Sequence, residues 1–106
     1  MDGAYLPNVS IGSSLSFADC TLRNACLTNA TLRNADCSRA DLSRANCTGC
    51  DFSDSVLDAT CLDRATLDGA DLSHVSGAEG TLVGATLVGA DLSHARFEDA
   101  DLSDAD

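Results

Sequence analysis

Hydrophobic residues in this chain fall on every fifth position. A frame set on Phe17 and advanced by five to Leu102 meets eighteen positions; seventeen are Leu, Phe or Cys, and Gly77 is not. Two residues before each, eleven of the eighteen are Ala, with Cys20, Cys50, Ser55 and Thr60 among the mostly small substitutes. The clearest copy is Ala65-Thr66-Leu67-Asp68-Gly69-Ala70-Asp71-Leu72-Ser73-His74. An amphipathic helix needs apolar spacing near 3.6, and a half-buried strand needs strict alternation. A period of five held over 86 residues fits neither. The pattern predicts short extended pieces joined by turns, each sending one large and one small side chain inward.

These residues resemble the pentapeptide-repeat family, whose units read Ala-(Asp/Asn)-Leu-X-X. The resemblance implies an all-β fold, a right-handed quadrilateral parallel β-helix of about five coils with four pentapeptides per coil. The central Leu or Phe and the Ala two before it would point inward, and the other three residues outward. Coils of such a solenoid stack at the sheet spacing of roughly 4.8 Å, which makes a rod roughly 24 Å long. Residues 17–106 are read as the β-helix, and residues 1–16 as an N-terminal cap or out-of-register first coil. Ala4-Tyr5-Leu6 and Val9-Ser10-Ile11 repeat the small-x-large pattern one residue out of register with Phe17. A one-residue insertion is therefore expected near Ser13 or Ser14.

Positions twenty apart should lie above one another. The interior columns are then Phe17, Cys37, Leu57, Gly77, Phe97; Leu22, Leu42, Leu62, Leu82, Leu102; Leu27, Cys47, Leu67, Leu87; and Leu32, Phe52, Leu72, Leu92. Val75 and Phe97 are expected to fill the space left by Gly77, and Val75–Gly80 to be the most distorted side. Phe17 and Phe97 are expected to help close the ends of the core. Outside the fourth column run Asp51, Asp71 and Asp91, and beside them Asp54, His74 and His94. Val83 and Val88 face outward where polar residues are usual, with Gly84 and Gly89 beside them. A flat apolar patch of this kind marks a contact surface, with weak self-association as one use.

Charge sharpens the picture of that surface. Residues 1–50 carry four Asp and four Arg, whereas residues 51–106 carry 13 acids against Arg64 and Arg96, so the second half holds the whole net charge of −11. Direct binding to nucleic acid is disfavoured, because it rests on Lys and Arg displacing counterions. An acidic half suits a basic partner surface instead. No apolar run approaches the ~18 residues of a membrane span, so the reading is a cytoplasmic protein with no membrane association.

Candidate chemistry changes little. Cys37 and Cys47 replace Leu, Cys20 and Cys50 replace Ala, and all four should be buried as small hydrophobes, with Cys26 and Cys61 outward. Cys47 and Cys50 form a Cys-x-x-Cys whose side chains face the core, where a redox pair is out of reach. His74, His94 and Asp54 lie on a straight ladder rather than converging as metal ligands do. No phosphate loop or nucleophile elbow is present. The expectation is a non-catalytic protein with no catalytic, cofactor-binding or metal residues and no cofactor.

Two functional readings follow. The first is a rigid scaffold that docks a still unidentified protein partner through Asp51, Asp71, Asp91, Asp54, His74, His94, Val83 and Val88. The second rests on the family resemblance: some members are acidic DNA mimics that bind or inhibit DNA gyrase. The charge of −11 favours it. The short rod, the neutral N-terminal half and the missing dimerising helix weigh against it. The last residues, Ser103-Asp104-Ala105-Asp106, stop in mid-repeat, so a fragment of a longer protein is a further expectation.

Overall fold

The computed structural model describes residues 1–11 and 15–106. Each five-residue unit makes one bridge residue, one central core residue, two turn residues and one small core residue. The bridges are parallel and join residues twenty apart, as in Thr21↔Asp41, Asp41↔Cys61 and Cys61↔Thr81. Four units close one coil of a right-handed quadrilateral β-helix. Its four faces are numbered here by their central residues: face 1 from Phe17, face 2 from Leu22, face 3 from Leu27 and face 4 from Leu32.

Hydrogen bonding explains why five residues make a stable side. The central N–H donates to the coil above (Leu22 N to Asp41 O, 2.7 Å), and the bridge N–H donates to the coil below (Asp41 N to Cys20 O, 2.9 Å). The second turn residue also donates upward (Asn24 N to Ser43 O, 3.0 Å), and the small residue closes the turn (Ala25 N to Leu22 O, 3.1 Å). Four of the five backbone donors of a unit are thus used inside the solenoid, as burial of the backbone demands.

Each corner requires a left-handed residue. The second turn residue has positive φ at fifteen non-glycine positions, including Asn24, Arg44, Ala59 and His74, and at Gly3, Gly49, Gly69, Gly84 and Gly89. Positive φ at the third residue of a four-residue turn is the type II pattern, which favours Gly and Asn. Asn, Asp and Gly fill most of these corners at low cost, whereas Arg39, Ala59 and Glu79 carry the steric penalty of a Cβ.

The core is a column of Leu, Phe and Cys alternating with Ala. Leu42, Leu57, Leu62, Leu67, Leu72, Phe52, Ala30 and Ala85 are all buried. Near the N-terminal end a void of about 10 Å³, lined by Leu6, Phe17, Leu22 and their neighbours, has about the space of one water. Gly77 and Val75 are both buried, and the ring of Phe97 occupies the space a side chain at 77 would need. The ladder there is intact (Gly77 N to Arg96 O, 2.7 Å), and the distortion is confined to two long turn bonds of 3.3 Å at Val75 and Gly80.

Near the N-terminus, Tyr5 bridges Cys26 and Ser10 bridges Thr31, a spacing of 21, whereas Ser16 bridges Asp36 at 20. The register changes between Ile11 and Leu15; Ser13 and Ser14 themselves lie outside the described residues.

Three expectations need correction. The principal extents are 28, 26 and 23 Å, so the molecule is a block nearly as wide as it is tall rather than a rod. Cys20 is half-buried, because it sits in the first coil with solvent below. Leu92 and Leu102 are 42% and 40% exposed, since within these residues no coil stacks on theirs, and Phe97 covers only part of that end.

Candidate interaction faces

The fifth backbone donor, the N–H of the first turn residue, decides which outward side chains serve the fold. In units with Asp or Asn at the bridge position, that side chain turns back and accepts it: Asp51 from Ser53 N (3.0 Å), Asp71 from Ser73 N (2.9 Å) and Asp91 from Ser93 N (2.9 Å). Asp41, Asn46 and Asp101 act the same way. The bridge residues Ser76, Thr81 and Thr86 have no carboxylate. There the acceptor comes from the coil below: Asp58 takes Ala78 N (3.0 Å), Asp63 takes Val83 N (3.0 Å) and Asp68 takes Val88 N (3.1 Å). These three carboxylates tie adjacent coils together.

The serines reinforce the first group. Ser53 Oγ donates to Asp51 at 2.6 Å, Ser93 Oγ to Asp91 at 2.5 Å, and Ser38 Oγ to Asp36. The hydroxyls of Ser38, Ser93 and Ser103, followed by the neighbouring backbone N–H, hold the carboxyls of Asp36, Asp91 and Asp101 respectively below the usual carboxylate range. Arginine does the same for Asp2 and Asp19 through Arg23 and Arg39.

Face 4 brings together six of the residues singled out from the sequence. Asp51 and Asp71 are half-buried and Asp91 is exposed, each with Oδ1 engaged by the turn. Asp51 also lies 3.6 Å from Arg33. At the corner beside them Asp54, His74 and His94 are exposed. The two imidazoles stack with centroids 4.8 Å apart and planes at 12°, which is the coil spacing written in side chains. Among the described residues no group of three or more His, Cys, Asp or Glu side chains is placed to hold a metal ion.

Val83 and Val88 lie one coil above Asp63 and Asp68, on faces 2 and 3 respectively. Val83 is half-buried, and Val88 is 59% exposed. Gly84 and Gly89 follow them at the next corners; Gly89 opens onto free space, whereas Gly84 faces the stem of Arg64. The two sets of candidate residues therefore sit on different sides of the block, and the geometry does not merge them into one site.

The cysteines are all free thiols. Cys37, Cys47 and Cys50 are buried, and Cys50 Sγ donates to Leu27 O at 2.8 Å. Burial pushes the Cys37 thiol up to about 12, and the hydrogen bond with Cys50, then burial, raise Cys47. Cys26 faces outward against Thr28 Oγ1 (3.4 Å), which lowers its thiol.

Sequence reasoning passed over Arg44 and Arg64. They lie at the same corner of face 2 in successive coils and border one shallow groove with Ser43, Cys61, Asp63 and Val83. Their separation of twenty residues was the available signal.

The family model for pentapeptide repeats matches residues 35–73 and 79–106 in eight copies. The chain belongs to the pentapeptide-repeat family. Its fold is similar to that of the pentapeptide repeat protein Rfr23 from the cyanobacterium Cyanothece 51142, with TM-score 0.88 and 22% identity over 99% of this chain and 82% of that one. HetL, involved in heterocyst differentiation regulation in Nostoc sp. strain PCC 7120, aligns with TM-score 0.76 and 28% identity over 99% of this chain and 47% of its own. A pentapeptide repeat protein of the Arabidopsis thaliana thylakoid lumen aligns with TM-score 0.71 and 24% identity over 94% of this chain and 64% of its own. The chain thus spans about half the length of HetL. No curated protein matches the sequence. No helix among the described residues is long and apolar enough to cross a membrane.

Proposed function

We propose that this protein is a non-catalytic, cytoplasmic scaffold that docks a protein partner on its side faces. The observation that carries this reading is Val88, an aliphatic side chain 59% exposed on a rigid ladder whose own N–H is held by Asp68 at 3.1 Å. Exposed apolar surface on a fixed backbone gives a partner contact area at little ordering cost. The corner of Asp54, His74 and His94 adds a polar contact that the fold does not consume. HetL, at 28% identity, takes part in regulation, which suits a binding role here as well.

The test is affinity capture from lysate of the source cells. Wild-type protein is expected to retain a partner that Val83→Asp/Val88→Asp loses at unchanged melting temperature. Equal capture by both would contradict the Val83/Val88 surface. The same patch supplies weak self-association, read by sedimentation of both proteins at high concentration.

A second reading, an acidic mimic of DNA that engages DNA gyrase, draws on the charge of −11 and on Asp54, Glu79, Glu98, Asp99 and Asp104, all exposed. Five coils at roughly 4.8 Å span about 24 Å, the rise of about seven base pairs at 3.4 Å per pair. A gyrase supercoiling assay decides it. Inhibition relieved by Asp54→Asn, Glu79→Gln and Glu98→Gln together would replace the scaffold reading, and no inhibition removes the mimic.

A further inference from the structure

In a chain with 17 acidic residues and only six arginines, arginine should find a carboxylate with ease. Arg23 pairs with Asp2 at 2.7 Å and Asp41 at 3.7 Å, Arg33 with Asp51 at 3.6 Å, and Arg39 with Asp19 at 2.7 Å. Among the described residues, Arg44 and Arg64 form no ion pair, although Asp41 and Asp63 lie within three residues of them in sequence.

Backbone bonds lock these two arginines at one corner of face 2. Arg44 N donates to Asp63 O and Arg64 N to Val83 O, both at 2.8 Å. Their Cα atoms are therefore about one sheet spacing, roughly 4.8 Å, apart. The stem of Arg64 runs along Gly84, where a Cβ would stand 3.7 Å from Arg64 Cγ. Both side chains are exposed and border the same groove. Asp63 borders it too, but its Oδ1 is occupied by Val83 N. Two arginines whose backbones are held one rung apart bring like charges to one groove, and an oxyanion shared by their planar donor forks relieves the repulsion.

We propose that the Arg44–Arg64 groove is an oxyanion site that takes a phosphate or carboxylate group between the two guanidinium groups, with the Ser43 hydroxyl as a further donor. It lies opposite face 4 and is independent of the contacts proposed there. The overall charge of −11 opposes general adsorption of anions, so binding confined to this groove is specific to its geometry.

The test follows the Nε–Hε resonances of the six arginines by NMR on ¹⁵N-labelled protein while inorganic phosphate, or separately N-acetylglutamate, is added at constant ionic strength. Arg44 and Arg64 are expected to move together along one saturable curve, while Arg23, Arg33 and Arg39 stay in place. Arg44→Gln should abolish the response of Arg64 with an unchanged melting temperature. Phosphate alone acting assigns the site to phosphate groups; both acting assigns it to carboxylates as well. Arg96, on face 1 and without an ion pair among the described residues, is the internal control. No saturable shift with either anion, or an equal shift of Arg96, would overturn the proposal.

Discussion

Phe97 occupies the space of a side chain that Gly77 lacks: a Cβ at position 77 would lie 2.6 Å from Phe97 Cε1 and 2.7 Å from Cδ1. The two residues are twenty apart in one interior column, so a missing core residue in one coil is offset by a large one in the next. Gly77→Ala forces this ring outward and is expected to destabilise the protein by about 1–3 kcal/mol, the usual cost of overpacking. Combining it with Phe97→Leu should recover part of that loss. Denaturant melts of both single variants and the double variant give the coupling, and simple additivity would show that the two sites do not touch.

Removing the acceptor of the fifth backbone donor should matter more than removing charge. Asp71→Ala leaves Ser73 N without its acceptor and is expected to cost about 1 kcal/mol, whereas Asp71→Asn keeps an acceptor and should cost less. Equal losses in the two variants would mean that charge, not the turn bond, is what Asp71 supplies.

Stability should fall in acid for the same reason. Hydrogen bonds depress the carboxyls of Asp36, Asp91 and Asp101 in the folded protein, so the unfolded chain binds protons first as pH falls. Their contribution is present above the unfolded carboxyl value of about 4 and is lost as pH drops through the lower folded values. Thermal melts from pH 6 downward should decline below about pH 4. Replacing all three by Asn should flatten that decline, and an unchanged slope would assign it to other groups.

Ser55 sits in the place of an interior Ala, 1% exposed, and its hydroxyl has no partner among the described residues, in contrast to Thr60, whose Oγ1 donates to Cys37 O at 2.8 Å. Ser55→Ala should stabilise the fold by about 1 kcal/mol by removing an unpaired buried hydroxyl. A lower melting temperature would point to a buried water that the hydroxyl holds.

Ala59 occupies a left-handed corner at φ 55° where Gly or Asn is the low-cost choice. Ala59→Gly trades a steric penalty of about 1 kcal/mol against the greater freedom of glycine in the unfolded chain. A small net gain in melting temperature is expected, and a clear loss would show that the methyl packs usefully against its neighbours.

The architecture was legible because the period of five excludes helix and flat strand alike, and because stacking by twenty places His74 on His94 before any coordinates are known. What was less legible depends on direction. The sequence shows Asp on the outside at both the bridge and turn positions, but not that the first caps its own unit and the second holds the coil above. Both of these differ from the second turn position, where the side chains of Asp54, His74 and His94 stand exposed at the corner. Arg44 and Arg64 stayed hidden because a net count sets Arg44 against an Asp of the first half and Arg64 against the 13 acids of the second, whereas pairing depends on which corner each occupies. The exposure of Leu102 was missed because a uniform column says nothing about what covers its last member.

The central claim is that side chains serving the fold and side chains offered to a partner occupy different positions of the same repeat. The most direct measurement compares two triple variants, Asp51→Ala/Asp71→Ala/Asp91→Ala and Asp54→Asn/His74→Gln/His94→Gln, by thermal melt and by partner capture on the same preparations. The first is expected to melt lower than wild type; the second should melt like wild type and lose the captured partner. Retention of the partner by the second variant, with its melting temperature intact, would contradict the account.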